Sequence, residues 1–182
     1  AMSYDFTVNG WPADKEPLYA VYCGDYSPRY DDGLYLSLDD AQEVRCENSL
    51  HANVAVGILT KKDDGAYKTQ MKNACAVLRF RFAKYDDIRS VVIDDLNGNP
   101  LAGEFRVDAK ENPLVNKVLD PKESVSISGA FQKGKYYCAC ILPGEHLFRI
   151  TLIRQNGERL QASLSEPARI ERNQYVPIYD ID

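Results

Sequence analysis

The chain holds few residues of the types that catalysis requires. Its two histidines are His51 and His146, so a Ser or Cys nucleophile has little choice of base. His146 follows Glu145 in a loop-like segment, where the carboxylate could orient the imidazole, but a solvated turn histidine is the simpler interpretation. No G-x-S-x-G nucleophile elbow occurs. We therefore predict no catalytic residue and no enzyme.

Pairs of adjacent acids are the second chemical feature. Two carboxylates can flank a glycosidic bond, yet spacing alone selects no pair here. Adjacent acids at loop edges ordinarily form turns or cap them, and none matches the D-x-[DN]-x-[DN]-G calcium loop. A hydrolase is thus the weakest hypothesis, and no metal site is predicted. The doublets are Asp31-Asp32, Asp39-Asp40, Asp63-Asp64, Asp86-Asp87 and Asp94-Asp95.

Five cysteines occur without a C-x-x-C pair, which is a poor pattern for zinc. Cys138 and Cys140 share one face of a predicted strand, and Cys75 lies in an apolar segment, so we interpret these three as small core residues. A disulfide is the next alternative and a metal the last. No cofactor is predicted. The remaining cysteines are Cys23 and Cys46.

Aromatic residues are concentrated near the start of the chain, and sugar and protein binding sites both use such rings. We predict Trp11, Tyr26 and Tyr30 as ligand contacts, with Trp11 the first to mutate because it stands beside Pro12 in a polar stretch. The alternative is that the rings cover one edge of the fold. The full set is Tyr4, Phe6, Trp11, Tyr19, Tyr22, Tyr26, Tyr30 and Tyr35.

Charge and hydropathy narrow the classes of partner. The net charge is −5, and no run of basic residues accumulates to attract a phosphate backbone, so nucleic acid is not expected. No apolar stretch approaches the roughly 20 residues that span a bilayer. The opening Ala1-Met2-Ser3 lacks the features of a signal peptide, although an export signal could have preceded it.

Alternation of apolar and polar residues predicts strands almost throughout. In the segment 76–82, Leu78, Phe80 and Phe82 point one way while Arg79 and Arg81 point the other. Many short strands separated by turns indicate an all-β sandwich of about seven or more strands, Greek-key-like. We expect residues 1–17 to be a loose lead-in and residues 18–182 one domain. Further strands are predicted at 18–23, 34–38, 54–60, 88–93, 124–127, 135–142, 148–154, 159–164 and 175–179.

Four turn sequences, 62–65, 96–100, 132–134 and 155–158, place Gly or Asn where a hairpin needs positive φ. Asn156-Gly157 is the clearest of them. Helical signals are confined to single turns at 39–44 and 113–119, neither with a sustained 3.6-residue stripe.

The order of several segments over most of the chain resembles the amino-terminal domain of the fimbrillin-like proteins, the type V pilins and related surface proteins of Bacteroides-type bacteria. The matching segments are Tyr19 to Tyr22 with a loop, a short strand and Gln42, Met71 to Phe80, Ile88 to Ile93, Leu101 to Gly103, Tyr136 to Ala139 with Leu142-Pro143, Ile150 to Leu152 with Asn156-Gly157, and Ala168 to Asn173.

The resemblance implies a transthyretin-like β-sandwich that is exported as a lipoprotein to the outer membrane and serves as a pilus subunit or adhesin. Such proteins assemble by β-augmentation, in which a groove accepts a neighbour's strand. The family removes a first strand by cleavage after Arg or Lys, and Lys15 is the basic residue within 1–17. A second sandwich usually follows in the family, which leaves open a one-domain relative or a longer chain.

We therefore predict a cell-surface fimbrial subunit or adhesin-like structural protein that acts by strand exchange or adhesion. Its expected partners are other pilus subunits or a surface receptor, and it would touch the membrane only through a lipid anchor. The alternative is an extracellular glycan-binding module, which uses a similar sandwich but presents aromatics and acids at a loop end.

Overall fold

The computed structural model describes residues 17–24, 26–48, 50, 52–109 and 112–178, and within them every regular element is a strand. The predicted all-β class is confirmed. The strands are β1 (Tyr19–Tyr22), β2 (Arg29–Tyr30), β3 (Leu34–Leu38), β4 (Ala41–Val44), β5 (Ala55–Ile58), β6 (Thr60–Lys61), β7 (Tyr67–Lys68), β8 (Lys72–Asn73), β9 (Ala76–Arg81), β10 (Ile88–Asp95), β11 (Gly103–Asp108), β12 (Leu114–Val118), β13 (Ser124–Gly129), β14 (Tyr136–Ile141), β15 (Gly144–His146), β16 (Phe148–Arg154), β17 (Arg159–Ser163), β18 (Ala168–Ile170) and β19 (Tyr175–Ile178).

The described strands form several sheets. The largest has the order β17-β16-β10-β13-β4, and a four-stranded sheet has the order β12-β11-β3-β2. Two three-stranded sheets follow, β1-β5-β8 and β14-β9-β19, with the two-stranded pairs β15-β18 and β6-β7. Most pairs are antiparallel, but β4 runs parallel to β13 and β19 runs parallel to β9.

Period-two patterning explains why these segments are strands. On β9, Leu78 and Phe80 are fully buried and Phe82 continues the row, while Arg79 and Arg81 face outward and lie over the Tyr136 ring. On β10 a register shift between Ile88 and Ser90 moves the buried row to Val91 and Ile93. The apolar faces meet in one hydrophobic core.

Turn chemistry was predicted better than strand pairing. Gly65, Gly98, Gly134 and Gly157 all have positive φ. The turns at 62–65 and 155–158 do join paired strands, β6 with β7 and β16 with β17. The hairpins predicted at 96–100 and 132–134 are wrong, because β10 does not pair with β11 and β13 does not pair with β14. Those turns carry the chain from one sheet to another.

The two predicted helical turns are also wrong. Residues 41–44 form β4 and residues 114–118 form β12. In β4, buried Gln42 and Val44 alternate with exposed Ala41 and Glu43, a strand period that is too short to stand out in the sequence. Both segments lie at sheet edges, where one neighbouring strand supplies the pairing.

The buried cysteines belong to the core. Cys75, Cys138 and Cys140 are buried and free, as is Cys23, whereas Cys46 is exposed. Burial raises the pKa of Cys140 to about 12 and raises the pKa of Cys75 well above its ordinary value. These thiols are therefore neutral packing groups, as predicted for Cys75, Cys138 and Cys140.

Candidate strand-docking groove

Strand edges are the features of this fold that could receive a partner, because an edge strand offers N–H and C=O groups that await pairing. Several described sheets end in such strands: β17 and β4, β12 and β2, β14 and β19. They differ in what covers them.

The outer edge of β14 is closed by side chains and loops. The buried Gln42 amide donates through Nε2 to the Cys140 carbonyl oxygen at 2.7 Å and accepts through Oε1 from the Cys140 N–H at 2.9 Å. This bidentate contact imitates a neighbouring strand. At either end, the Asn48 N–H donates to the Tyr136 carbonyl at 3.0 Å, and the Leu142 N–H donates to the Leu101 carbonyl at 2.8 Å.

The edge of β19 is blunted by proline. The Val77 N–H donates to the Gln174 carbonyl, so the backbone of residues 174, 176 and 178 faces β9 and that of 175 and 177 faces outward. Pro177 therefore occupies an outward position and removes a donor from the free side. A partner strand would find an incomplete ladder there.

The edge of β12 is open. The Leu119 N–H donates to the Glu104 carbonyl, so even-numbered residues of β11, including Asp108, turn their backbone toward β12. Asp108 pairs with Leu114 and Val107 with Val115. The Leu114 backbone consequently faces β11, while the Val115 N–H and C=O face outward without a partner among the described residues.

Another open edge belongs to β18. Its Arg169 lies opposite Glu145 of β15, and the Glu145 carbonyl accepts from Asn99 Nδ2 at 2.7 Å. We assign Glu145 and Arg169 as a non-hydrogen-bonded pair of the antiparallel ladder. In such a pair the two backbones turn away from each other, so the Arg169 N–H and C=O point away from β15. The described residues supply no partner for them.

These two edges border one groove, which we call the edge groove: residues 112–115 on one side and 143–145 with 169–172 on the other. Its volume is about 550 Å³. Pro113, Leu114, Pro143 and Ile170 provide apolar lining, and the Leu114 residue is 59% exposed. The rim carries opposite charges in Glu145, Arg169, Glu171 and Arg172. Arg172 Nη2 donates to Asn112 Oδ1 at 2.6 Å and links the two sides.

A buried, hydrogen-bonded His–Asp pair positions one wall of the edge groove. His146 is 1% exposed; its Nδ1 lies 2.7 Å from Asp95 Oδ2 and its Nε2 lies 3.1 Å from the Leu142 carbonyl oxygen. Asp95 Oδ1 accepts from the Asn97 and Asn99 N–H groups. A Cβ at Gly144 would come 3.0 Å from His146 Nε2, so the glycine leaves room for the ring.

The interpretation of His146 as a solvated turn residue is therefore wrong. The ring lies in the interior, because β15 folds it beneath the turn after β10. Nothing in the local sequence placed Asp95 beside it, since the two residues are 51 positions apart. The pair holds structure together, and the described residues place no nucleophile against it.

The acidic doublets serve as turn formers and ion-pair partners. Asp39 and Asp64 each accept a backbone N–H two residues later. Arg154 donates to both carboxylate oxygens of Asp87, and Asp94 forms an ion pair with Arg149. Within the described ranges, no group of three or more His, Cys, Asp or Glu side chains could hold a metal ion.

Two of the three predicted aromatic contacts, Tyr26 and Tyr30, are in the described residues and lie apart. Trp11 lies outside the described residues. Tyr30 is 63% exposed, packs on Tyr19 with ring centroids 6.1 Å apart, and pairs with Leu34 at the start of β3. Tyr26 is near Asp39, beyond the end of β3, where that carboxylate raises the pKa of the Tyr26 hydroxyl. Tyr26 and Tyr30 therefore do not form one platform.

A surface network lies on β2, β3 and β11. The Tyr35 hydroxyl donates to Asp32, which raises the pKa of Tyr35 and lowers that of Asp32. Arg29 lies 4.0 Å from the centroid of the Tyr35 ring and pairs with Glu104, while Arg106 pairs with Asp32. The contacts within this face satisfy its charges, so it offers few groups to a ligand.

No sequence pattern predicted the edge groove. The helical turn predicted at 113–119 falls on its β12 side, and its β18 side falls within Ala168 to Asn173, a segment that carries only the family resemblance. The signal that could have found it is the run Pro113-Leu114-Val115, where apolar residues follow a proline without a polar alternation.

Comparisons with known proteins find little similarity to this chain. No family model matches the chain, and no curated protein matches it. A solved structure described as a "putative cell adhesion protein" from Bacteroides ovatus aligns with 13% identity and a TM-score of 0.45. The alignment covers 70% of this chain and 46% of that one, so this chain spans less than half the length of that protein. Membership of the fimbrillin-like family and the transthyretin-like detail stay predictions.

Proposed function

We propose that the chain is a non-catalytic protein of the cell surface that binds an extended strand of a partner polypeptide in the edge groove, as a pilus subunit or adhesin would. The observation that carries the proposal is the pair of unpartnered edges, at Val115 and Arg169, on one apolar groove. Adhesion is also the role in the description of the Bacteroides ovatus protein; the proposal rests on the groove.

Two unpaired edges on opposite sides of a groove match an extended peptide better than a small ligand. A strand lying between them would receive main-chain hydrogen bonds from both sides, which provide affinity, while its alternate side chains enter the apolar lining and provide specificity. Rim charges of both signs would select the register of the incoming strand. Among the described residues no helix has the length and hydropathy to span a bilayer.

The test is selection of peptides from a displayed library of random extended segments, followed by amide hydrogen exchange on the complex. We expect the selected peptides to alternate apolar and polar residues and to slow exchange at Val115 and Arg169. In Val115→Pro the outward donor is lost while the ladder to β11 stays, so affinity should fall roughly tenfold, the value of about one hydrogen bond.

The matched control is Ser163→Pro, which removes an outward donor from β17. The Leu164 N–H donates to Phe148, so the Ser163 backbone faces away from β16. This variant should bind the peptides like the wild type. Equal losses in the two variants, or protection at β17 in place of β12, would overturn the proposal.

A further inference from the structure

A second groove lies beside β5 and β8, and we call it the lysine groove. It is lined by Lys62, Lys68, Lys72, Thr69, Gln70 and Ile58, among others, and has a volume of about 410 Å³. The hairpin of β6 and β7 forms one wall. Three ammonium groups around one opening would concentrate positive potential in a protein of net charge −5.

Two lysines of the lysine groove are not held in ion pairs by the described residues. Several basic side chains elsewhere on the described surface are paired with acids, such as Arg29, Arg106, Lys122, Lys135 and Arg154. Lys62 and Lys68 have no acidic partner within the parts of the chain described. Asp63 and Asp64 stand in the neighbouring turn but do not line the groove, and Asp64 accepts from the Ala66 N–H.

Two further polar groups at the lysine groove lack partners. The Ala74 N–H donates to the Val54 carbonyl and Val56 pairs with Lys72, so the Ile58 backbone faces the groove beyond the end of β8. Thr69 Oγ1 is enclosed without a hydrogen bond in the described structure. A Cβ at Gly57 would come 2.2 Å from that oxygen, so the glycine makes room for Thr69.

We infer that the lysine groove binds an anionic polysaccharide, through its sulfate or carboxylate groups. The ammonium groups match the anions, and the Gln70 amide matches sugar hydroxyls. An acidic peptide strand fits less well, because Ile58 is the one residue of β5 whose backbone faces this groove unpaired, and a strand needs a ladder. Its lining shares no residue with that of the edge groove.

The experiment measures binding of fluorescent dextran sulfate oligosaccharides to the full chain at low salt and at about 0.15 M salt. We expect binding that weakens with salt, no binding of neutral dextran, and weaker binding of polyglutamate. The double variant Lys62→Gln/Lys68→Gln should lose roughly fivefold in affinity, the value of two exposed charge contacts.

The control is Lys133→Gln/Arg159→Gln, which makes the same change of net charge at exposed basic residues outside the lysine groove and should bind like the wild type. Equal losses in the two double variants would assign the binding to overall charge and overturn the inference, as would polyglutamate binding at least as tightly as dextran sulfate, or no binding at low salt. Val115→Pro should leave polysaccharide binding unchanged, which separates this inference from the proposed function.

Discussion

The edges of β14 and β12 present the same backbone groups, but the β14 edge is closed within the chain and the β12 edge is open. On β14 the Cys140 N–H and C=O are satisfied by the buried Gln42 amide, with loops covering the positions on either side. On β12 the Val115 N–H and C=O face a groove. On β14 the Gln42 side chain therefore takes the place of a neighbouring strand. On β12 no described side chain does so, and the edge stays open to a partner strand.

Burial explains why the two edges differ. Cys140 lies in the core, where an unsatisfied backbone group costs free energy, so β14 requires a partner within the chain. Val115 is half-buried at the edge of its sheet, where its outward backbone groups can be hydrated and need no partner within the chain. The comparison teaches that the open edges to examine for function are those at which solvent makes closure unnecessary.

The largest effect is expected for Gln42→Ala. The variant leaves the Cys140 N–H and C=O buried without partners, so the free energy of unfolding should fall by about 3 kcal/mol. Urea denaturation followed by fluorescence measures the change. Gln155→Ala, at an exposed residue of the β16–β17 turn, should change stability by less than about 0.5 kcal/mol. A loss for Gln42→Ala as small as this would show that the β14 edge needs no closure.

Proline at neighbouring positions tests the open edge. The Leu114 N–H faces β11, so Leu114→Pro removes a ladder hydrogen bond and should cost about 2 kcal/mol. In Val115→Pro the lost donor faces solvent, and the cost should stay below about 1 kcal/mol. Urea denaturation of both variants gives the difference. Equal costs would mean that the register of β12 differs from the one described.

The free energy of unfolding should also depend on pH, through Cys140 on the closed edge of β14. The folded pKa of Cys140 is raised to about 12 from an ordinary 9.0, so above pH 9 the unfolded chain loses a proton that the folded chain keeps. Stability therefore falls as pH rises from 9 toward 12, by at most about 1.4 kcal/mol per pH unit for this thiol.

Urea midpoints between pH 8 and 10.5 measure this decline. Cys140→Ala should decline less steeply than the wild type, whereas Cys46→Ala, at an exposed thiol, should keep the wild-type slope. The slopes are compared because removing the buried side chain also changes the absolute stability. Identical slopes for Cys140→Ala and the wild type would show that the raised pKa of Cys140 does not cause the decline.

The smallest effect on stability is expected at β19. Pro177→Val restores an outward donor to an edge that proline blunts, with a change in unfolding free energy within about 0.5 kcal/mol. The variant should self-associate more than the wild type in sedimentation velocity runs, since the edge becomes a template for pairing. A purely monomeric variant would show that Pro177 does not guard this edge.

Local sequence determined much of this protein. The alternation at 76–82 predicted which residues of β9 are buried, because side chains of a strand point to opposite faces wherever the strand lies. Gly157 with Asn156 predicted a hairpin, because a short loop between antiparallel strands needs positive φ. Cys75, Cys138 and Cys140 were recognised as core residues from their apolar neighbours.

Only the tertiary structure decided which strands pair and which edges remain open. The turns at Gly98 and Gly134 have the conformation of hairpin turns but connect different sheets, because φ at one residue does not select the next strand's neighbour. Asp95 and His146 meet in the interior although both side chains are polar and lie 51 positions apart in the sequence. The edge groove is formed by residues from three distant segments. Which of their backbone groups remain unpaired depends on the strand registers of β11 with β12 and β15 with β18, which local sequence does not predict.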